Sequence, residues 1–294
     1  MKMGRGSILS AVVGIGALAM ATAPVTARQE QKVAKIEKVK DNLYVIIGGG
    51  GNTAAFITAN GVVVVDTKLA GWGQAILDQI KTVTPKPVTM IINTHTHGDH
   101  VGSNAEFPAT VDVVAHENTK ANMEKMPAFQ SDSAKQFLPK KTYKDKLTLG
   151  AGNDRIDLYY FGRGHTNGDS FVVFPALRTV HTGDLFATKG APFMDATNGG
   201  SGVEYPKTLA AAAKVIHDVD VVIPGHSDVT NWAAFLEYGQ FMQALVSAVE
   251  DSAKAGKTAD QTAASLTLPD QFKDYNMKQV KANVDVIYAE LGKK

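Results

Sequence analysis

The sequence predicts an α/β (α+β) protein organised as a four-layer αββα sandwich, with two mixed β-sheets packed face to face and helices outside. Two observations carry this expectation. A meander of short strands followed by alternating strands and helices occurs twice in the same order, with no visible sequence repeat and no linker-like stretch between the two passes. The 294 residues, 44% of them hydrophobic, are also ample for one large core or two intimately fused layers around it.

Taken in order, strands are expected near 33–39, 43–48, 53–58 and 62–66, each short and bounded by Gly- or Asn-containing turns. From Ala70 to Val83 the pattern becomes helical, and Pro85-Lys86-Pro87 then precedes the apolar run Val88–Asn93, read as a buried strand. A further strand is expected over Val111–Ala115 and a helix over Glu117–Met126. After a segment rich in Lys, Pro and Phe at 125–141, strands return at 142–149, 155–161, 170–174 and 178–182, followed by a helix at 206–217 and the strand Val219–Ile223. From Trp232 onward Phe235, Tyr238, Met242, Leu245 and Val249 recur at helical spacing, a stripe that reads as core packing.

Lys2 and Arg5 precede an apolar, small-residue stretch from Ile8 to Ala21, and Val25-Thr26-Ala27 stands before Arg28-Gln29-Glu30. This is the pattern of a secretory signal over residues 1–27, not of a membrane span. Cleavage is placed after Ala27, because cutting after Ala23 would leave Pro24 just behind the cut. Residues 28–294 then form one mature domain, periplasmic or secreted, with no stable membrane insertion after cleavage. The 30 basic and 29 acidic residues nearly cancel, so nothing in the charge calls for nucleic acid or an anionic membrane as partner. Cysteine is absent, which excludes disulfides, a lipid anchor on an N-terminal cysteine and a thiolate metal ligand.

The densest chemistry lies in His95-Thr96-His97-Gly98-Asp99-His100, directly after the Val88–Asn93 run. Imidazoles and a carboxylate are what a zinc-type ion takes, and a strand end is where a rigid scaffold can aim them into a cleft. The spacing suits two ions better than one, since His95 and His97 can share one direction while Asp99 and His100, past the Gly98 bend, face another. Downstream, His165 in Gly162-Arg163-Gly164-His165, Asp184 in His181-Thr182-Gly183-Asp184 and His226 in Pro224-Gly225-His226 fit loops at strand ends. Their spacings from His100 onward are 65, 19 and 42 residues.

This ordered set resembles the metallo-β-lactamase superfamily, and the resemblance runs over essentially the whole mature chain. It implies that His95, His97 and His165 hold one divalent ion, that Asp99, His100 and His226 hold the other, and that Asp184 bridges. Asp66, which ends the run Val62–Val65, matches the family's first motif and would orient ligands through hydrogen bonds. The implied activity is a binuclear metal-dependent hydrolase in which a metal-bridging hydroxide attacks a small-molecule substrate, with Asp99 orienting it and relaying a proton. Zinc is the default for the two ions, with iron or manganese as alternatives. His97 resembles the hydrolases, because oxygen-reducing di-iron relatives carry glutamate there.

Asp184 stands where β-lactamases of this superfamily usually place cysteine or serine, and it resembles lactonases, glyoxalase-type thioesterases and alkylsulfatases instead. Export argues against a glutathione thioester, and the lack of a basic patch or large inserted domain argues against a nuclease. The expected substrate is a small ester, lactone or amide/lactam. The alternatives are a metallo-β-lactamase proper and a metal-stabilised binding protein without catalysis. Gly48–Gly51 lacks the Gly-Lys-Ser/Thr ending of a phosphate loop, so the loop through Asn52 is expected as a flexible hairpin tip or as an overhang above the metals. His116 and His217 read as surface or capping residues, and His181 as core or ligand-supporting. The 187–202 loop, with Lys189, Phe193, Met194 and Asn198, fits either a pocket lining or a surface connection.

Overall fold

Val62 to Val65 shows how the chain makes its layers. Successive strand side chains point to opposite faces, and here Val63 and Val65 pack into one hydrophobic cluster while Val62 and Val64 pack into another. A strand apolar on both faces must be covered on both, which is the requirement for an inner layer of a sandwich.

A computed structural model of the protein describes residues 33–292. The expected signal segment, residues 1–27, lies outside the described residues. Seven strands form the first sheet in sequence order: β1 (Lys35–Lys40), β2 (Leu43–Ile47), β3 (Thr53–Ile57), β4 (Val62–Val65), β5 (Val88–Ile92), β6 (Asp112–His116) and β7 (Lys141–Tyr143). The first four are antiparallel neighbours, and β4 to β7 run parallel, so the sheet is mixed. The second sheet has six strands: β8 (Lys146–Leu149), β9 (Ile156–Tyr159), β10 (Phe171–Phe174), β11 (Thr179–Gly183), β12 (Val221–Pro224) and β13 (Thr230–Asn231), with only β11 and β12 parallel.

Between the sheets lies a cluster drawn from both, including Leu43, Phe56, Val65 and Ile92 from the first and Leu158, Val172, Phe174 and Ile223 from the second. Phe56 and Phe174 meet across it with ring centroids 5.0 Å apart, a pairing worth about 0.5–1.5 kcal/mol beyond the area it buries. Outside the first sheet, α1 (Gly73–Lys81) lays Ile76 and Ile80 on Val62, Val64 and Ile91. The short helices α2 (Gly98–Val101), α3 (Glu117–Met123) and α4 (Asp132–Lys135) follow along the same half. Outside the second sheet, α5 (Tyr205–Val215), α6 (Trp232–Lys254), α7 (Ala259–Ser265) and α8 (Val280–Glu290) cover Phe171, Val173, Val180 and Val222. The α6 stripe Phe235, Tyr238, Met242, Leu245 and Val249 is wholly buried there. This is the expected αββα order.

Two expectations need correction. The single strand at 142–149 is two strands in different sheets: Lys144 and Asp145 break the ladder, and the chain crosses from the edge of the first sheet to the edge of the second. Asp145 accepts from the Tyr160 N–H (2.9 Å), which anchors the crossing to the far side. Helix α1 starts at Gly73 instead of Ala70 because Ser103 Oγ takes the Trp72 N–H (2.9 Å) and Glu106 Oε2 takes the Gly73 N–H (2.9 Å). A carboxylate supplied by another segment thus caps the positive end of the helix. Among the described residues no helix is long and apolar enough to cross a membrane.

Candidate metal centre

Strands β4 and β5, and β11 and β12, run parallel, so their C-terminal ends open toward one edge of the sandwich. Side chains in the loops leaving those ends converge there, as is usual for α/β sheets. Asp66 follows β4, His95 and His97 follow β5 ahead of α2, Asp99 and His100 lie in α2, Asp184 follows β11 and His226 follows β12; His165 lies between β9 and β10. Donor atoms of His95, His97, His165 and Asp184 lie within 4.8 Å of one another, and the same holds for Asp99, His100 and His226.

Asp184 touches both groups. Its Oδ2 is 3.5 Å from His165 Nε2 and 3.3 Å from His226 Nε2, and its Oδ1 is 3.4 Å from His100 Nε2. Asp99 Oδ2 is 3.2 Å from His226 Nε2, and the two imidazoles His100 and His226 stand 3.2 Å apart at Nε2. Such separations match the roughly 3.3 Å edge of a tetrahedron of donors around a zinc-type ion with bonds near 2.0–2.1 Å. His97 Nδ1 and His165 Nε2, at 2.8 Å, are closer than that.

The residues fit a metal on a second ground. His95 Nε2 and Asp184 Oδ1 are buried with no hydrogen-bond partner, a cost of about 1–3 kcal/mol each if nothing meets them. Four of the five histidines also have the other ring nitrogen engaged in a way that turns one nitrogen inward. His100 Nδ1–H donates to Asp66 Oδ2 (2.7 Å), His165 Nδ1–H to the Phe193 carbonyl (2.7 Å) and His97 Nε2–H to Asp195 Oδ2 (2.8 Å). His95 Nδ1 lies 3.0 Å from Thr94 Oγ1, whose hydroxyl donates to Asp66 Oδ2 (2.6 Å). Asp66 therefore reaches one histidine of each group, directly for His100 and through Thr94 for His95. It does so from a left-handed backbone conformation (φ 62°), which aspartate tolerates better than most residues.

The two groups differ electrostatically. Burial, then the neighbouring His100, holds His95 well below the usual histidine range, and burial followed by His165 lowers His97 against the pull of Asp195. His226 moves the other way, up to about 9, because it hydrogen-bonds to Asp184 and Asp99. Burial opposes a charge on His100, yet Asp184 and Asp66 raise it well above its ordinary value. Burial likewise opposes both carboxylates, but His226 and His100 lower Asp99, and His100 holds Asp184 well below the carboxylate range.

Several surrounding residues were not legible beforehand. Asp195 has no motif around it, although it lies in the 187–202 loop; Thr94 is marked only by adjacency to His95. In that loop Met194 joins the core, while the Phe193 ring stands 5.7 Å from His97 and is 53% exposed. The Gly48–Asn52 loop is a fixed wall, not a loose tip: Gly51 N–H donates to the Asp99 carbonyl (3.1 Å) and Asn52 N–H to the Gly225 carbonyl (2.7 Å). His181 is buried, with Nε2 at 3.2 Å from the Asn52 carbonyl and Nδ1 accepting from Gly183 N–H (3.1 Å), so it supports this wall. His116 caps α3 by accepting from Asn118 N–H (3.2 Å) and is buried; His217 is exposed.

The metallo-beta-lactamase superfamily model matches residues 47–226. A metallo-beta-lactamase type 2 from Elizabethkingia meningoseptica is 28% identical over 214 residues, covering 68% of this chain and 81% of that protein. Among solved structures, the stereoselective inverting sec-alkylsulfatase Pisa1 from Pseudomonas sp. superposes with a TM-score of 0.71 at 15% identity, over 88% of this chain and 50% of that one. This chain therefore spans about half the length of the alkylsulfatase. The DIM-1 metallo-beta-lactamase gives a TM-score of 0.59 at 19% identity, over 71% and 97% of the two chains.

Proposed function

The chain belongs to the metallo-beta-lactamase superfamily, and from that footing we propose that it is a binuclear metal-dependent hydrolase of a small ester, lactone or amide/lactam. The observation that carries the reading is the Asp184 carboxylate set between two ligand groups, in reach of His165 on one side and of His100 and His226 on the other. Two divalent ions, zinc by default and iron or manganese otherwise, would be held by His95, His97 and His165 and by Asp99, His100 and His226. Bound there, they supply a lowered water pKa and polarisation of the scissile carbonyl. Asp99 keeps its carboxylate ionised, is partly exposed, and presents Oδ2 beside His226 Nε2, so it can orient the attacking water and accept a proton at that oxygen. Asp66, Thr94 and Asp195 hold the imidazoles in the required tautomers.

The rim supports a substrate with an apolar flank. Phe193 is 53% exposed beside His97 and His165, and Leu69, 47% exposed, donates its N–H to the Gly49 carbonyl (2.9 Å) in the glycine wall. The β-lactamase reading is favoured by the Elizabethkingia relative, while an aspartate at position 184 favours esters and lactones. Metal-replete protein assayed on chromogenic esters, lactones and lactams separates the two, and no turnover on any of them would leave the metal-stabilised binding protein. Asp184→Ser should lower affinity for the second ion by about 10–100-fold, by analogy with tuning groups around metal sites, and should impair ester or lactone turnover more than lactam turnover. Unchanged metal content and turnover would remove Asp184 from the ligand set.

We also propose export, with residues 1–27 removed and the mature protein periplasmic or secreted. Intact-mass measurement of the exported protein should place its first residue at Arg28; a mature form retaining Ile8–Ala21 would make that segment an anchor.

A further inference from the structure

Among the described residues one lysine is completely buried. Lys68 has no exposed surface, lies on a left-handed turn (φ 65°) and aims its amine away from water, which lysine rarely does without a specific partner. We infer that Lys68 is the positioning residue that clamps the glycine wall onto His100 and Asp99, and so fixes the ligand group of the second ion. This rests on the two-ion reading above.

Three contacts make the clamp. The amine donates to the Ile46 carbonyl (2.7 Å) at the end of β2 and to the Gly51 carbonyl (2.8 Å), so it fastens both ends of the loop between β2 and β3. Its own backbone carbonyl accepts from Gly102 N–H (2.9 Å), and the preceding Thr67 N–H donates to the His100 carbonyl (2.6 Å), which ties the same turn to α2. The clamped loop then sits on the ligands themselves. Gly51 N–H holds the Asp99 carbonyl, and a Cβ on Gly51 would lie 2.2 Å from His100 Cε1, so bare backbone lies against the edge of that ring. On the opposite edge Asp66 takes the Nδ1 proton. The ring is thus fixed between the wall and Asp66, with Nε2 left facing Asp99, Asp184 and His226.

Burial pushes the Lys68 amine down to about 7 against the opposing charge of Asp66, and both carbonyls within reach of the amine, those of Ile46 and Gly51, accept from it. His95, His97 and His165 have no contact of this kind with the glycine wall among the described hydrogen bonds, so the clamp serves one group only.

The test compares Lys68→Met with the parent protein by calorimetric titration of chelator-treated samples with Zn2+ or Co2+, together with amide exchange at Gly50, Gly51 and Asn52. The expected result is an affinity for the second ion about 10–100-fold weaker, the range seen for outer partners of metal ligands, with the first ion unchanged within about threefold and faster exchange at the three amides. Equal affinities for both ions in a folded Lys68→Met protein would overturn the inference, and so would an equal loss at both. If Lys68→Met does not fold, Gly51→Ala decides, because it keeps the lysine and pushes the wall off His100. It should reproduce the selective loss of the second ion, and a second-ion affinity equal to the parent's would refute the clamp. A parent protein that takes only one ion would instead sink the two-ion reading itself, and the clamp's role with it.

Discussion

The two ligand groups are close together yet chemically unlike. His95 and His97 sit in a buried pocket that keeps their imidazoles neutral, the state in which a histidine binds metal. Asp99, His100 and His226 form a mutually charged set in which each carboxylate favours a protonated imidazole beside it. If each group takes an ion, as proposed, the first is ready for it and the second must give up protons first. The difference arises from position: the first is roofed by the 187–202 loop, whereas His226 and Asp99 are each about one-third exposed and lean on Asp184.

The largest expected effect breaks the comparison outright. His165→Ala should cost the first ion and His226→Ala the second, each by more than about 100-fold in affinity, because removing a direct ligand must exceed the 10–100-fold loss typical of outer partners. Metal content after dialysis reads both, and loss of the same single ion in both variants would show that the groups are not separate.

The next effect sharpens the contrast through pH. A group whose proton must leave before metal can bind gains affinity as pH rises toward its pKa. With His226 at about 9, affinity for the second ion should rise at least about tenfold per unit between pH 7 and 9. The first ion should show a much flatter profile over that interval. Parallel profiles in a titration series would mean that the charged set does not belong to one ion.

Smaller differences follow from the supporting carboxylates. Among the site imidazoles the Asp195 carboxylate bonds His97 alone, so Asp195→Asn should weaken the first ion alone, whereas Asp66 reaches His100 and, through Thr94, His95, so Asp66→Asn should weaken both. About 10–100-fold is expected in each case, and two-site calorimetry tells the patterns apart. The smallest effect concerns the rim: Phe193→Ala should raise KM for esters with apolar flanks about fivefold, on the order of 1 kcal/mol of apolar contact, with kcat little changed. Equal kinetics on short and long acyl chains before and after the change would remove Phe193 from the substrate's path.

Most of this arrangement was visible in the sequence because it depends on local signals. The strand periodicities placed both sheets, and His95-Thr96-His97-Gly98-Asp99-His100 announced its chemistry by composition. What stayed hidden depends on distant contacts. Lys144-Asp145 looks like part of a continuous strand until the second sheet exists to receive it. Asp195 is an ordinary loop aspartate until His97, 98 positions away, is brought to 2.8 Å. Nothing in the sequence around Lys68 marks it for burial, because its partners, the Ile46 and Gly51 carbonyls, lie 22 and 17 positions away. Gly48–Gly51 suits either a flexible tip or an overhang, and the sequence does not separate the two because the imidazole for which Gly51 leaves room, His100, lies 49 positions away.

The crossing at Lys144-Asp145 has a consequence for how the protein assembles. Each sheet is made from one uninterrupted stretch of chain, residues 35–143 and then 146–231, so strand pairing within each can proceed without waiting for the other. The candidate metal ligands do not respect that division. His95, His97, Asp99 and His100 come from the first stretch and His165, Asp184 and His226 from the second, so an intact site exists only after the two halves have docked. Under the proposed two-ion reading, ion binding would reward the last step of folding, and the kinetics of metal uptake by the refolding chain should report the rate at which its halves find each other.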